Sequence, residues 1–183
     1  MREVRDVLKY REELTKAMRW LASKEETIFL GQSVRYSGHA IFGTLEDVPM
    51  DKRIELPVME DAQMGMSIGL SLQGFLPISI YPRMDFLIIA MNQLVNHLDK
   101  MNEMSCGEYA PKVIIRTAIG SKIPLDGGIQ HTGDYTDGLK KLLNNVDVIK
   151  LDRPEAILNA YKWAYKNGDS TILIEVADLY DRS

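Results

Sequence analysis

The feature that most restricts how this chain folds is a series of short apolar runs, most of which do not alternate with polar residues: 27–31, 54–56, 77–81, 112–116, 146–151 and 171–176. A strand with one face in water alternates, so strands apolar throughout need cover on both faces. The intervening segments supply that cover. Val4, Val7, Leu8, Leu14, Met18 and Leu21 step mostly by three or four, as do Leu87, Ile88, Met91, Leu94, Val95, Leu98 and Met101 after a capping Asp85, and this is the period of an amphipathic helix. A shorter helix is expected over 137–143, and another from Arg153-Pro154-Glu155 to a stop at Asn167-Gly168, with proline in its first turn. Strand and helix therefore alternate, which predicts an α/β fold: a three-layer, doubly wound, mostly parallel sheet with helices on both faces.

The 183 residues suit one domain and show no repeat or linker. The net charge of −4 leaves no basic field for nucleic acid or an anionic membrane. Cys106 is the single cysteine, so no intrachain disulfide can form. No apolar run approaches the roughly 20 residues that span a bilayer, and the charged start lacks the apolar stretch of a signal peptide. The expected setting is cytoplasmic, with no membrane and no nucleic acid as partner.

Two long irregular stretches stand out. Residues 32–49 contain Gly38, Gly43 and Pro49, and residues 117–136 contain Gly120, Pro124, Gly127, Gly128 and Gly133 around Gln130-His131. Long loops in compact domains are often functional, and glycine lets backbone approach a ligand closely. Between them Glu60 opens a helix that Gln73-Gly74 closes, with Gly65 and Gly69 four apart on one face. Such a strand-to-helix corner lies at the sheet's end, where open α/β sheets bind ligands. Each residue also has a plain structural reading. A first-turn carboxylate is favoured by unpaired amides, spaced glycines mark packing, Phe86 is a core aromatic, and His131 decorates a loop. The chain has no dinucleotide fingerprint, phosphate loop or metal-ligand spacing.

The spacing E-x-x-x-x-G-Φ-x-x-G-x-x-x-Q, with Φ apolar, is met by Glu60, Gly65, Met66, Gly69 and Gln73. It resembles the pyrimidine-binding domain of thiamine diphosphate-dependent, transketolase-like enzymes, and most closely the N-terminal half of the beta subunit of 2-oxo acid dehydrogenase first components. The resemblance runs from Tyr10 to about Glu175. It implies that Glu60 is catalytic, hydrogen-bonding N1′ of the cofactor's aminopyrimidine, where a buried carboxylate can hold or share a proton. It implies that Phe86 stacks on that ring and that Tyr81 and Met84 lie at nearby cofactor-binding positions, Met84 departing from the family's aromatic. Gly128-Ile129-Gln130-His131-Thr132 resembles the family's G-A-Q-H-S, whose histidine faces the reacting centre, so His131 is a second catalytic candidate. His39 lies in the loop matching one that reaches the active site, whereas His97 is expected on an exposed helix face. Gly65 and Gly69 become subunit-interface residues. Two further departures are Gln32, where the family has glutamate, and Ile89, where it has glutamine.

The resemblance also implies what must come from elsewhere. The family binds the diphosphate and Mg²⁺ on a second domain bearing a G-D-G motif, absent from these 183 residues. A diphosphate-binding, alpha-type subunit is thus the expected partner, sharing thiamine diphosphate at the interface, with no metal on this chain. The domain expectation is a single pyrimidine-binding domain over 1–183, with no diphosphate-binding domain and no C-terminal transketolase domain. The assembly is expected to be a homo- or hetero-oligomer, inactive as an isolated chain. The expected function is cleavage beside the carbonyl of a 2-oxo acid (decarboxylation, acyl transfer) or a ketose (ketol transfer). The alternatives are a non-catalytic interaction or regulatory subunit that keeps the fold, and a stand-alone nucleotide-binding domain.

Overall fold

The computed structural model describes residues 9–122 and 126–180. The expected helical residues Val4, Val7 and Leu8, and Pro124 of the second loop, lie outside them. Six parallel strands form one sheet: β1 (Thr27–Gly31), β2 (Arg53–Glu55), β3 (Leu76–Tyr81), β4 (Ile114–Ile119), β5 (Val146–Leu151) and β6 (Ser170–Val176), in the order β2-β1-β3-β4-β6-β5. The three-layer α/β expectation is met. The chain reverses direction across the sheet between β1 and β3, so the crevice of a doubly wound sheet opens there, beyond the carboxyl ends of the strands.

Helices α1 (Tyr10–Ala22) and α6 (Pro154–Lys166) cover one face. Leu14, Met18, Leu21, Ile157 and Tyr161 pack there on Phe29, Ile78, Ile80, Ile114 and Leu173. On the other face α2 (Glu60–Leu72), the helical segment after β3, and α5 (Thr136–Leu142) bury Met64, Ile68, Leu94 and Leu139 against Tyr81, Ile115, Ile172 and Ile174. Successive residues of one strand thus feed opposite layers, which is why the runs are apolar throughout.

Three elements differ from the sequence expectation. β4 starts later and runs on to Ile119, because the amides of Lys112 and Val113 are satisfied by the hydroxyls of Ser71 (2.6 Å) and Ser170 (3.0 Å), while Thr117–Ile119 pair with Ile174–Val176. The first long loop is not wholly irregular: Ala40–Leu45 form a 3₁₀ helix that buries Ile41 and Leu45 in the α1 layer. The helix expected over 85–104 is a series of short pieces, α3 (Met84–Leu87), a 3₁₀ turn at Ile88–Ala90, widened π turns over Asn92–Leu98, and α4 (Met101–Met104). Asp85 sits inside its first turn, and Arg83 takes the cap position.

One polar knot ties the first layer together. Glu175 and Arg116, both fully buried, form an ion pair, and Glu175 also accepts from the hydroxyls of Tyr161 (2.7 Å) and Tyr180. Arg116 donates to Thr44 at 2.7 Å, so the 3₁₀ helix is bolted to the end of the sheet.

Candidate functional site

Glu60 is the first residue of α2 and is only 3% exposed. Its position follows from how α2 is fastened. Gln63 donates to the carbonyl of Ile80 (2.9 Å) and to the hydroxyl of Ser79 (3.1 Å), and Ser67 donates to Ser79 at 3.0 Å. Residues 60, 63 and 67 share one face of a 3.6-residue helix, so these bonds point Glu60 at the carboxyl end of the sheet. Its Oε1 accepts a hydrogen bond from the amide of Gln32 at 2.9 Å. Gln32 follows β1, in a segment held from beneath. Glu55, at the end of β2, accepts from the backbone amides of Ser33 (2.6 Å), Val34 (2.9 Å) and Arg35 (2.8 Å). Arg53 donates to the carbonyls of Val48 (2.9 Å) and Val34 (3.1 Å), and burial lowers its pKa.

Gln32 also holds His39. The carbonyl of Gln32 lies 2.9 Å from Nε2 of the ring and can only accept, so Nε2 carries the proton. Nδ1 is buried without a partner among the described residues. Burial, followed by the Arg116 charge, holds the ring's pKa below the ordinary imidazole value.

The opposite wall comes from the second loop. Phe86, half-buried in α3, meets the ring of His131 edge-on, with centroids 5.6 Å apart. Nδ1 of His131 donates to the carbonyl of Gly127 at 2.9 Å, which leaves Nε2 as the ring's free edge. Asp85 accepts from the amide of Gly133 and the hydroxyl of Tyr135, each at 3.3 Å, and so pins the loop onto α3. Between the walls lies a cleft of about 610 Å³, lined by Gln32, His39, Phe86 and His131 together with Arg83 and Tyr180. Glu60 is not itself among the lining residues; Gln32, which donates to it, is. A groove of about 650 Å³ along edge strand β5, from Asp134 to Arg153, contains none of the expected residues.

Two expected positions fall elsewhere. Tyr81 and Met84 are fully buried in the α2 layer. The Tyr81 hydroxyl points at the carbonyl of Glu60 (3.4 Å), burial raises its pKa, and the Met84 sulfur accepts from the amide of Tyr135 at 3.0 Å. Their side chains are therefore not among those lining the cleft; a strand residue and a first-turn residue facing the helical layer pack into the core. Ile89 is exposed on the outer face, and His97 sits in the π turns away from the cleft.

Gly65 and Gly69 lie on the outward side of α2. A Cβ at 65 would come no closer than 3.7 Å to Gln93, and one at 69 would meet nothing within 4 Å. Around them Met59, Met66, Leu72 and Ile89 are exposed by 42–57%, an apolar band of the kind that marks contact surfaces. Arg83 is the residue the sequence reading passed over. It follows β3 and Pro82, where nothing in the local pattern distinguishes it, yet it reaches both cleft loops, donating to the carbonyls of Gly120 (2.8 Å) and His131 (2.9 Å).

Among the described residues no helix is long and apolar enough to cross a membrane and no cluster of potential metal ligands occurs. No family model matches the chain. It is 23% identical over 176 residues to the 2-oxoisovalerate dehydrogenase subunit beta of Bacillus subtilis, covering 92% of this chain and 52% of that protein. It is 27% identical over 145 residues to the 3-methyl-2-oxobutanoate dehydrogenase subunit beta of Mycobacterium tuberculosis, covering 77% and 40%. A solved split-gene transketolase, described as an inactive beta4 tetramer, superposes with a TM-score of 0.69 at 17% identity, over 92% of this chain and 51% of that one. The chain spans about half the length of the curated relatives it matches. The resemblance drawn from the Glu60 motif thus holds: the relatives are 2-oxo acid dehydrogenase beta subunits, and the fold is of the transketolase type.

Proposed function

We propose that this chain is the pyrimidine-binding subunit of a split thiamine diphosphate-dependent enzyme that cleaves the bond beside the carbonyl of a 2-oxo acid or a ketose. The observation that carries the reading is Glu60, buried at the start of α2 with one oxygen held by Gln32 at the wall of a cleft that also contains Phe86 and His131. The residues suit an aminopyrimidine: a carboxyl group able to share a proton with its ring nitrogen, and a half-buried phenyl ring to stack against it. Bound there, thiamine diphosphate would supply the nucleophilic carbon that attacks the substrate carbonyl. The diphosphate and Mg²⁺ would be held outside these 183 residues by an alpha-type partner, in a cytoplasmic hetero-oligomer.

This chain's own part is positional and acid–base. Gln32 can only donate from its amide nitrogen, so it fixes one oxygen of Glu60 and leaves the other to a ligand. No described residue donates to that second oxygen. His131 presents Nε2 beside Phe86, within the cleft, where it can accept a proton from a substrate hydroxyl or return one. The apolar band around Gly65 and Gly69 would close the cleft against another subunit and exclude water.

The test is Glu60→Gln in the assembled complex, screened against a panel of 2-oxo acids and ketoses. Loss of a proton-handling carboxylate should lower turnover by about 10²-fold or more. Equal turnover would favour the second reading, a non-catalytic interaction or regulatory subunit. That reading draws on the burial of Tyr81 and Met84 and on Gln32 in place of a carboxylate.

A further inference from the structure

Among the described residues Arg83 is the one that lines the cleft with a fixed positive charge, and no ion pair neutralises it. Its Nη1 donates to two carbonyl oxygens, of Gly120 and His131. Carbonyls orient a guanidinium and satisfy its protons, but they carry no net charge to neutralise it. Among the described residues no carboxylate forms an ion pair with Arg83. Asp85 accepts from Gly133 and Tyr135, and Asp126 from the amide of Gly128 at 2.8 Å, and neither forms an ion pair with Arg83.

The contrast with Arg53 and Arg116, the buried arginines among the described residues, sharpens the point. Arg116 is neutralised by Glu175. Arg53 spends its whole fork on loop carbonyls, donating from Nε, Nη1 and Nη2. Arg83 uses a single nitrogen, and its Nη2 and Nε take no partner among the described residues. Space is left beside it as well. A side chain at 127 would begin 3.5 Å from both Nη1 and Nη2 of Arg83 and 2.8 Å from the Cβ of His131, so glycine keeps the approach to the guanidinium open.

We propose that Arg83 anchors an oxyanion of the substrate in the cleft, through Nη2 and Nε, with His131 and Phe86 beside the bound group. A planar fork with two unused donors matches a carboxylate bidentately and a phosphate nearly as well. The oxyanion has two possible sources, the carboxylate of a 2-oxo acid or the phosphate of a phosphorylated ketose. This inference rests on the proposed function for the identity of the substrate, but not for the existence of the anion site.

The experiment uses the complex as purified from its host, stripped of thiamine diphosphate. Phenylglyoxal modification of Arg83 is followed by peptide mass spectrometry at matched ionic strength, with pyruvate, inorganic phosphate or uncharged hydroxyacetone present. Pyruvate or phosphate should slow modification of Arg83 by about 5-fold or more while hydroxyacetone leaves it unchanged. Protection by pyruvate alone assigns a carboxylate, and protection by phosphate alone a phosphorylated substrate. In parallel, Arg83→Gln should weaken calorimetric binding of the protecting anion by about 10-fold or more, and Arg83→Lys by less. Unfolding temperatures report any loss of the strut between the loops. Equal modification with and without both anions, or an Arg83 that phenylglyoxal never reaches, overturns the proposal even if Arg83→Gln fails to fold. Thiamine diphosphate binding by the same complex without anion protection would sink this inference and leave the proposed function standing; the reverse result would do the opposite.

Discussion

Gln32 donates its side-chain amide to Glu60 and lends its carbonyl to His39, so one residue after β1 orients both groups. Neither contact is visible in the sequence, where Gln32 registers only as a missing carboxylate; the fold brings Glu60 to it across 28 residues. The consequence for His39 can be measured. Its folded pKa is depressed by burial and then by Arg116, opposed by Glu55, Glu175 and the Gln32 carbonyl, from a reference value of 6.5. As pH falls through about 6.5 the unfolded ring takes up a proton that the folded ring still refuses, so the unfolded state binds more protons and stability drops. Above that value both states are neutral and the contribution is constant. Between about pH 7 and pH 5 the unfolding temperature of the wild-type chain should therefore fall more steeply than that of His39→Asn. Parallel curves would show that the ring is not held neutral by the fold.

α2 was legible as an element because its ends are written in local chemistry. Glu60 opens it, and Gly74, at φ +90°, takes the left-handed conformation that ends it. The outward face was legible only as glycine spacing, and the structure adds that a Cβ at 69 would meet nothing within 4 Å among the described residues. An unsupported mid-helix glycine costs roughly 0.5–1 kcal/mol relative to alanine. Gly69→Ala should thus stabilise the isolated chain against urea by up to about 1 kcal/mol and, if the proposed subunit packs on this face, weaken assembly with it. A loss on both measures would mean that the glycine serves the monomer instead. The broken segment over 84–104 shows where sequence reading ran out. Apolar steps of three and four fit π turns as well as α turns, and the i→i+5 bond from the amide of Asp99 to the carbonyl of Leu94, at 2.9 Å, is decided by Asp99, whose Oδ1 binds the amides of Asn144 (2.9 Å) and Asn145 (2.7 Å) far along the chain.

At the scale of the molecule, the parallel sheet could be read because strands covered on both faces need apolar residues at every position. The strand order and the knot beneath the cleft could not, since each depends on partners brought together by crossovers. Arg116 and Glu175 read as ordinary charged residues at strand positions, yet both are wholly enclosed. Replacing one member of such a pair strands the other in low dielectric, so Glu175→Gln should lower stability by about 3–5 kcal/mol in denaturant unfolding. A loss within about 0.5 kcal/mol would place the pair in the range of surface substitutions. The central claim is that Glu60 and Phe86 form half of a thiamine diphosphate site completed by a second subunit. The most direct test is calorimetric titration of thiamine diphosphate with Mg²⁺ into the isolated chain and into the complex recovered from the native host. Saturable binding by the complex alone, to a partner bearing a G-D-G motif, is the predicted result; no binding by the complex, or equally tight binding by the isolated chain, would contradict it.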